Sequence, residues 1–81
     1  MVRSTIPHMV WIGKQMYRLV NADIDGKRFN LRYESIPELG KVEFEFSIGF
    51  ETFYSPSDKD VEEEFTKRLE LLGGTIERPN D

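Results

Sequence analysis

Residues able to do chemistry are sparse in this chain. Glu43 and Glu45 alternate in phase along "KVEFEFSIGFETFY", Lys41 to Tyr54, as paired general acid–base carboxylates would. On an open strand face beside Arg32 neither would be desolvated, and an unperturbed carboxylate is poorly matched to proton transfer near neutrality. "NADIDG", Asn21 to Gly26, has oxygen-bearing residues at its first, third and fifth places and Gly at its sixth, like the start of an EF-hand loop. The twelfth place, where a bidentate Glu is required, holds Arg32, and the flanks read as strand. A hairpin turn is therefore expected there, with no metal. His8 is the sole histidine and there is no cysteine. A zinc site would need three carboxylates, and a Ser–His–acid triad would hang on one residue near the chain start. The glycines close turns or a helix, and none forms a phosphate-binding loop before a helix. No catalytic residue, metal or other cofactor is expected, and the chain reads as a non-enzyme.

The elements follow from turn and cap signals. Gly13-Lys14 has the Gly-X form of a type II′ turn and Asp25-Gly26 the Asp-Gly form of a type I′ turn. Two-residue tips at these sites pair Met9 with Arg18 and Trp11 with Met16, then Val20 with Leu31 and Ala22 with Phe29. A longer loop, "SIPELGK", leads to the fourth strand. Pairing Tyr33 with Val42, Leu31 with Phe44 and Phe29 with Phe46 gathers the large apolar side chains on one face. It also sets Arg32 opposite Glu43 and Asn30 opposite Glu45. Side chains alternate with period two, so a slip by one residue would turn that set into water.

Ser55-Pro56-Ser57-Asp58 then offers an N-cap serine, a first-turn proline and an acid three residues on, and Gly73-Gly74 a stop. Between them Val61, Phe65, Leu69 and Leu72 form an apolar stripe. Acids crowd the first turns and Lys67 and Arg68 the later ones, as the helix macrodipole favours. Thr75 to Arg78 could add a short edge strand that Pro79 would end. The expected fold is α+β. A four-stranded antiparallel β-meander (about 9–12, 15–23, 28–35, 41–54) carries one C-terminal helix (about 56–72) on one face, with a short final edge strand at 75–78. All 81 residues form a single domain, with residues 1–8 read as an arm, flexible or added to the natural chain.

Such a helix, roughly 24 Å long and 10 Å wide, covers the middle of a sheet about 15 Å across and leaves its margins thin. In the expected register the helix-facing set is Met9, Trp11, Met16, Val20, Ala22 and the apolar residues of the third and fourth strands. Val10, Ile12, Tyr17 and Leu19 then point to the opposite face, which is otherwise polar. Contiguous exposed apolar patches mark contacts, and burying these four would yield on the order of 6–10 kcal/mol gross. They are the expected partner-binding residues of a small regulatory or accessory module, for a protein partner or a second copy in a homodimer. The competing reading is that the N-terminal arm or the segment around Ile76 folds over them.

Charge bears on the alternative. Residues 1–41 carry seven Lys/Arg against four Asp/Glu, and residues 42–81 carry four against eleven, for a net −4. Tyr17, Arg28 and Arg32 on one sheet face could stack and neutralise single-stranded nucleic acid. Net negative charge and the neighbouring glutamates oppose it, so nucleic acid ranks second. No apolar run approaches the roughly 18 residues of a membrane span and no signal peptide is visible, so a cytoplasmic protein with no membrane partner is expected.

Overall fold

The computed structural model describes residues 6–37, 40–52 and 57–77. Five antiparallel strands and one helix follow in the order β1 (Met9–Ile12), β2 (Gln15–Asp25), β3 (Arg28–Ser35), β4 (Glu45–Glu51), α1 (Asp58–Leu71) and β5 (Gly74–Thr75). The sheet order is β4-β3-β2-β1-β5. The architecture is the expected α+β one, a meander under a single helix. The final strand is only two residues long and pairs with β1, Trp11 opposite Thr75 and Ile12 opposite Gly74. Since α1 follows β4 at one edge and leads into β5 at the other, it must cross the whole inner face.

Both hairpin tips are Gly-Lys. Gly13 (φ 62°) and Gly26 (φ 58°) supply the left-handed backbone at the first loop position. The first hairpin has the expected register, Met9 with Arg18 and Trp11 with Met16. In the second, the loop is Gly26-Lys27, and Asp25 pairs with Arg28. A type I′ turn at Asp25-Gly26 would need positive φ at Asp25 as well, which a non-glycine residue adopts at a cost. Ala22 therefore faces Leu31, not Phe29.

The decisive departure lies further up β2. Asn21 pairs with Arg32, yet Leu19 pairs with Tyr33, so Val20 is an extra residue in a β-bulge. The bulge reverses the alternation. Ala22 and Ile24 face inward on one side of it, and Tyr17 and Leu19 face inward on the other. An unbulged strand would have to leave one of those two pairs in water. The reversal carries through the first hairpin: Val10 lies opposite Tyr17 and joins the core, while Met9, Trp11 and Met16 turn to the outer face.

β4 is also displaced. Tyr33, Leu31 and Phe29 pair with Phe46, Ile48 and Phe50, four residues beyond the expected partners, so each face is unchanged. Arg32 lies opposite Ser47 and Asn30 opposite Gly49, in place of Glu43 and Glu45. The shift stacks Phe29 on Phe50 (ring centroids 4.8 Å) and Tyr33 on Phe46 (5.2 Å), with Tyr17 edge-on to Phe46 at 4.9 Å. Such contacts contribute about 0.5–1.5 kcal/mol each beyond area burial. Val42 and Phe44, expected inside, are exposed. The ladder starts where Ser35 donates its N–H to the Phe44 carbonyl (2.8 Å) and its Oγ accepts from the Phe44 N–H (3.1 Å).

The helix cap is a reciprocal box at Ser57, two residues past the expected serine. Ser57 Oγ accepts from the Asp60 N–H, and Asp60 Oδ2 accepts from the Ser57 N–H, both at 3.2 Å. Ser55 and Pro56 lie outside the described residues. Val61, Phe65 and Leu69 are buried; Leu72, expected with them, is the C-cap and is exposed. Arg68 pairs with Glu64 one turn back at 3.1 Å. Of the expected arm, Ile6 is buried, Pro7 accepts a hydrogen bond from the Tyr33 hydroxyl (2.7 Å), and the His8 carbonyl accepts from the Leu19 N–H (2.8 Å). Those three residues belong to the fold. Among the described residues no helix is long and apolar enough to cross a membrane.

Candidate contact surface

The first hairpin is apolar on both sides, as its sequence requires, but the two sides are exchanged. Val10 is 0% exposed and Tyr17 8%; Ile12 and Leu19 pack against the same core. The expectation that these four form an outward patch is thus corrected, and the Val20 bulge is the reason. They are covered by the helix side of the fold.

The outer face reads row by row from the pairings. At one end Thr75, Trp11, Met16 and Ile36 line up across four neighbouring segments, Ile36 being held by its N–H to the Met16 carbonyl at 3.4 Å. Trp11, Met16 and Ile36 are each half-buried, as is Met9 in the adjoining row. That row continues through Arg18 and Glu34 to Glu45. Arg32, one row further, bridges it, with Nη2 2.6 Å from Glu45 and 3.3 Å from Glu34. The Glu45 hydrogen bond and charge raise the Arg32 pKa further. At the far end Arg28 pairs with Glu51 at 3.0 Å. The outer face thus carries a half-buried apolar strip bordered by a charge-paired rim.

The sequence signal for this surface was present but faint. Inward residues run Tyr17, Leu19, Ala22, Ile24, with spacings of two, three and two. The step of three marks the bulge, and with it Met9, Trp11 and Met16 fall outward.

The other expected sites are dispersed. Tyr17 lies on the inner face, and Arg28 and Arg32 on the outer face beside glutamates, so no aromatic–basic platform joins them. The strand positions of the outer face carry Arg18, Arg28 and Arg32 against Asp23, Asp25, Glu34, Glu45 and Glu51. That balance disfavours a phosphate backbone. Asn21, Asp23 and Asp25 extend along β2 instead of curling into a loop, and among the described residues no group of three or more His, Asp or Glu could hold a metal. Glu43 and His8 are exposed. An open trough of about 690 Å³ lies over Gly49, walled by Asp23, Asp25, Arg28 and Glu51. It is a shallow charged depression rather than a cleft. Burial raises the Tyr33 pKa, but its hydroxyl is spent on the Pro7 carbonyl within the core.

The chain matches no family model, no curated protein and no solved structure.

Proposed function

We propose that this protein is a small non-enzymatic interaction module, regulatory or accessory in role, that binds a protein partner through the outer row Trp11, Met16 and Ile36 with Met9 beside it. What carries this reading is the bulge at Val20, which commits one apolar side of the first hairpin to the core and sends the other to the face the helix does not cover. Tryptophan and methionine are enriched at protein interfaces, and a tryptophan is a frequent energetic anchor. The absence of cysteine fits work in the reducing cytoplasm.

The test is affinity capture from the source cell with the unmodified chain and with Met16→Lys, followed by amide-shift mapping with the captured protein. A partner retained only by the unmodified chain, perturbing residues 9–11, 16 and 36, is the expected outcome. Binding indifferent to Met16→Lys, or salt-sensitive retention on an oligonucleotide column instead, would overturn the proposal.

A further inference from the structure

The sheet ends differently at its two edges. On one side β5 is a two-residue stub. On the other, β4 presents seven residues, and among the described residues no strand lies beyond it. Ser35 bonds to Phe44 and Thr52 donates to the Lys27 carbonyl (2.9 Å), so the even-numbered residues of β4 face β3. In an antiparallel ladder the intervening residues point their backbone groups the other way. Glu45, Ser47, Gly49 and Glu51 therefore aim four N–H and four C=O groups away from the sheet, and all four are exposed.

Edges of this kind are ordinarily blunted by charged side chains, lysine above all, by proline, by a bulge or by shortness, and here the only charges are Glu45 and Glu51 at the two ends of the strand. Glu45–Glu51 contains no lysine or proline, and its register with β3 is unbroken. The segment is also close to self-complementary. Antiparallel pairing with an identical strand, with the two-fold axis at Ile48, sets Ser47 opposite Gly49 of the second copy and Glu45 opposite Glu51. All four outward residues then exchange backbone hydrogen bonds. On the inner face Ile48 meets Ile48 and Phe46 meets Phe50, so the apolar layer runs on without a break. Axes at Phe46 or Phe50 would leave part of the outward set unused. The opposed glutamates each bring an arginine, Arg32 on Glu45 and Arg28 on Glu51, so the juxtaposition is of ion pairs and not bare carboxylates.

We infer that β4 is a self-association edge, through which two copies of this chain join into one continuous sheet. This is independent of the outer-row reading, since the row lies at the β1–β2 side. Proline at position 47 distinguishes the two. The Ser47 N–H faces away from β3, so Ser47→Pro removes an edge donor without touching the internal ladder. Sedimentation equilibrium of the full chain should give twice the monomer mass of 9.5 kDa at high concentration. Exchange of the Ser47 and Gly49 amides should slow in step with the dimer fraction. Ser47→Pro should remain a monomer with an unchanged circular dichroism spectrum, whereas Met16→Lys should still dimerise. A monomer up to millimolar protein, a dimer that survives Ser47→Pro, or a dimer lost only with Met16→Lys would each overturn it. Should Ser47→Pro fail to fold, the exchange measurement on the unmodified chain decides alone.

Discussion

Gly74 is where the helix, the last strand and the first strand meet, and a single methyl group there tests the whole packing scheme. A Cβ at Gly74 would stand 2.6 Å from Leu69 Cδ1, 2.9 Å from Leu69 Cγ and 3.0 Å from the Trp11 carbonyl oxygen. Comfortable carbon contacts begin near 3.5 Å, so the leucine would have to retreat by about 1 Å. Leu69 is fully buried, and the Trp11 carbonyl is sheet backbone; neither can move freely. Overpacking of this kind costs about 1–3 kcal/mol, offset by about 0.4–1 kcal/mol from the lower entropy of the unfolded alanine chain. Gly74→Ala should therefore destabilise by about 1–2 kcal/mol. In a domain of this size that lowers Tm by roughly 5–15 °C. Gly49→Ala is the matched control, because its Cβ would sit at an ordinary 3.7 Å from the Phe29 carbonyl and should be neutral or slightly stabilising. Urea denaturation of Gly74→Ala, Leu69→Ala and the double variant completes the cycle. Leu69→Ala alone should cost about 2–5 kcal/mol, and the pair less than the sum by about 1 kcal/mol, since the truncated side chain makes room for the methyl. Strict additivity, or a Gly74→Ala protein as stable as the parent, would refute this seating of α1 on β5.

Other substitutions probe separate links. Leu19→Asp should destabilise by roughly 3 kcal/mol or more, because it sets a carboxylate opposite Tyr33 on the core face; a fully stable variant would restore the outward placement of Leu19. Ser57→Ala removes one arm of the capping box and should cost about 0.5–2 kcal/mol in urea, with Asp60→Ala adding little beyond it. Burial holds the Tyr33 phenol protonated well above the ordinary value of about 10, so the folded chain keeps a proton that the unfolded chain releases. Its contribution is whole below that unfolded value and is lost as pH rises past it, so the urea midpoint should fall in the alkaline range. Tyr33→Phe should flatten that slope; an equal fall in the variant would assign it elsewhere.

How much of this was legible beforehand depended on whether the signal was local. The two glycine turn signals, the serine–proline–acid start, the apolar helix stripe and the glycine stop are each local, although the second tip falls one residue later than expected, the cap two residues later, and Leu72 leaves the stripe. They specified the element order and the α+β class. The first hairpin register also followed, because a two-residue loop leaves no freedom.

Facing was a different matter. Val20 had no local reason to bulge. It does so because Tyr17 and Leu19 on one side, and Ala22 and Ile24 on the other, must all pack against the same core. The four-residue displacement of β4 likewise keeps every side chain on its face, so alternation cannot detect it. The stacking of Phe50 on Phe29 and Phe46 on Tyr33 selects it. One extra residue was enough to exchange the covered and uncovered sides of β1, and with them the candidate contact row. By itself the sequence determined that the leading hairpin carries apolar residues on both sides. Which side lies under α1 was decided only when the helix and the β3–β4 aromatic pairs competed for one core, since that choice depends on contacts between segments far apart in the chain.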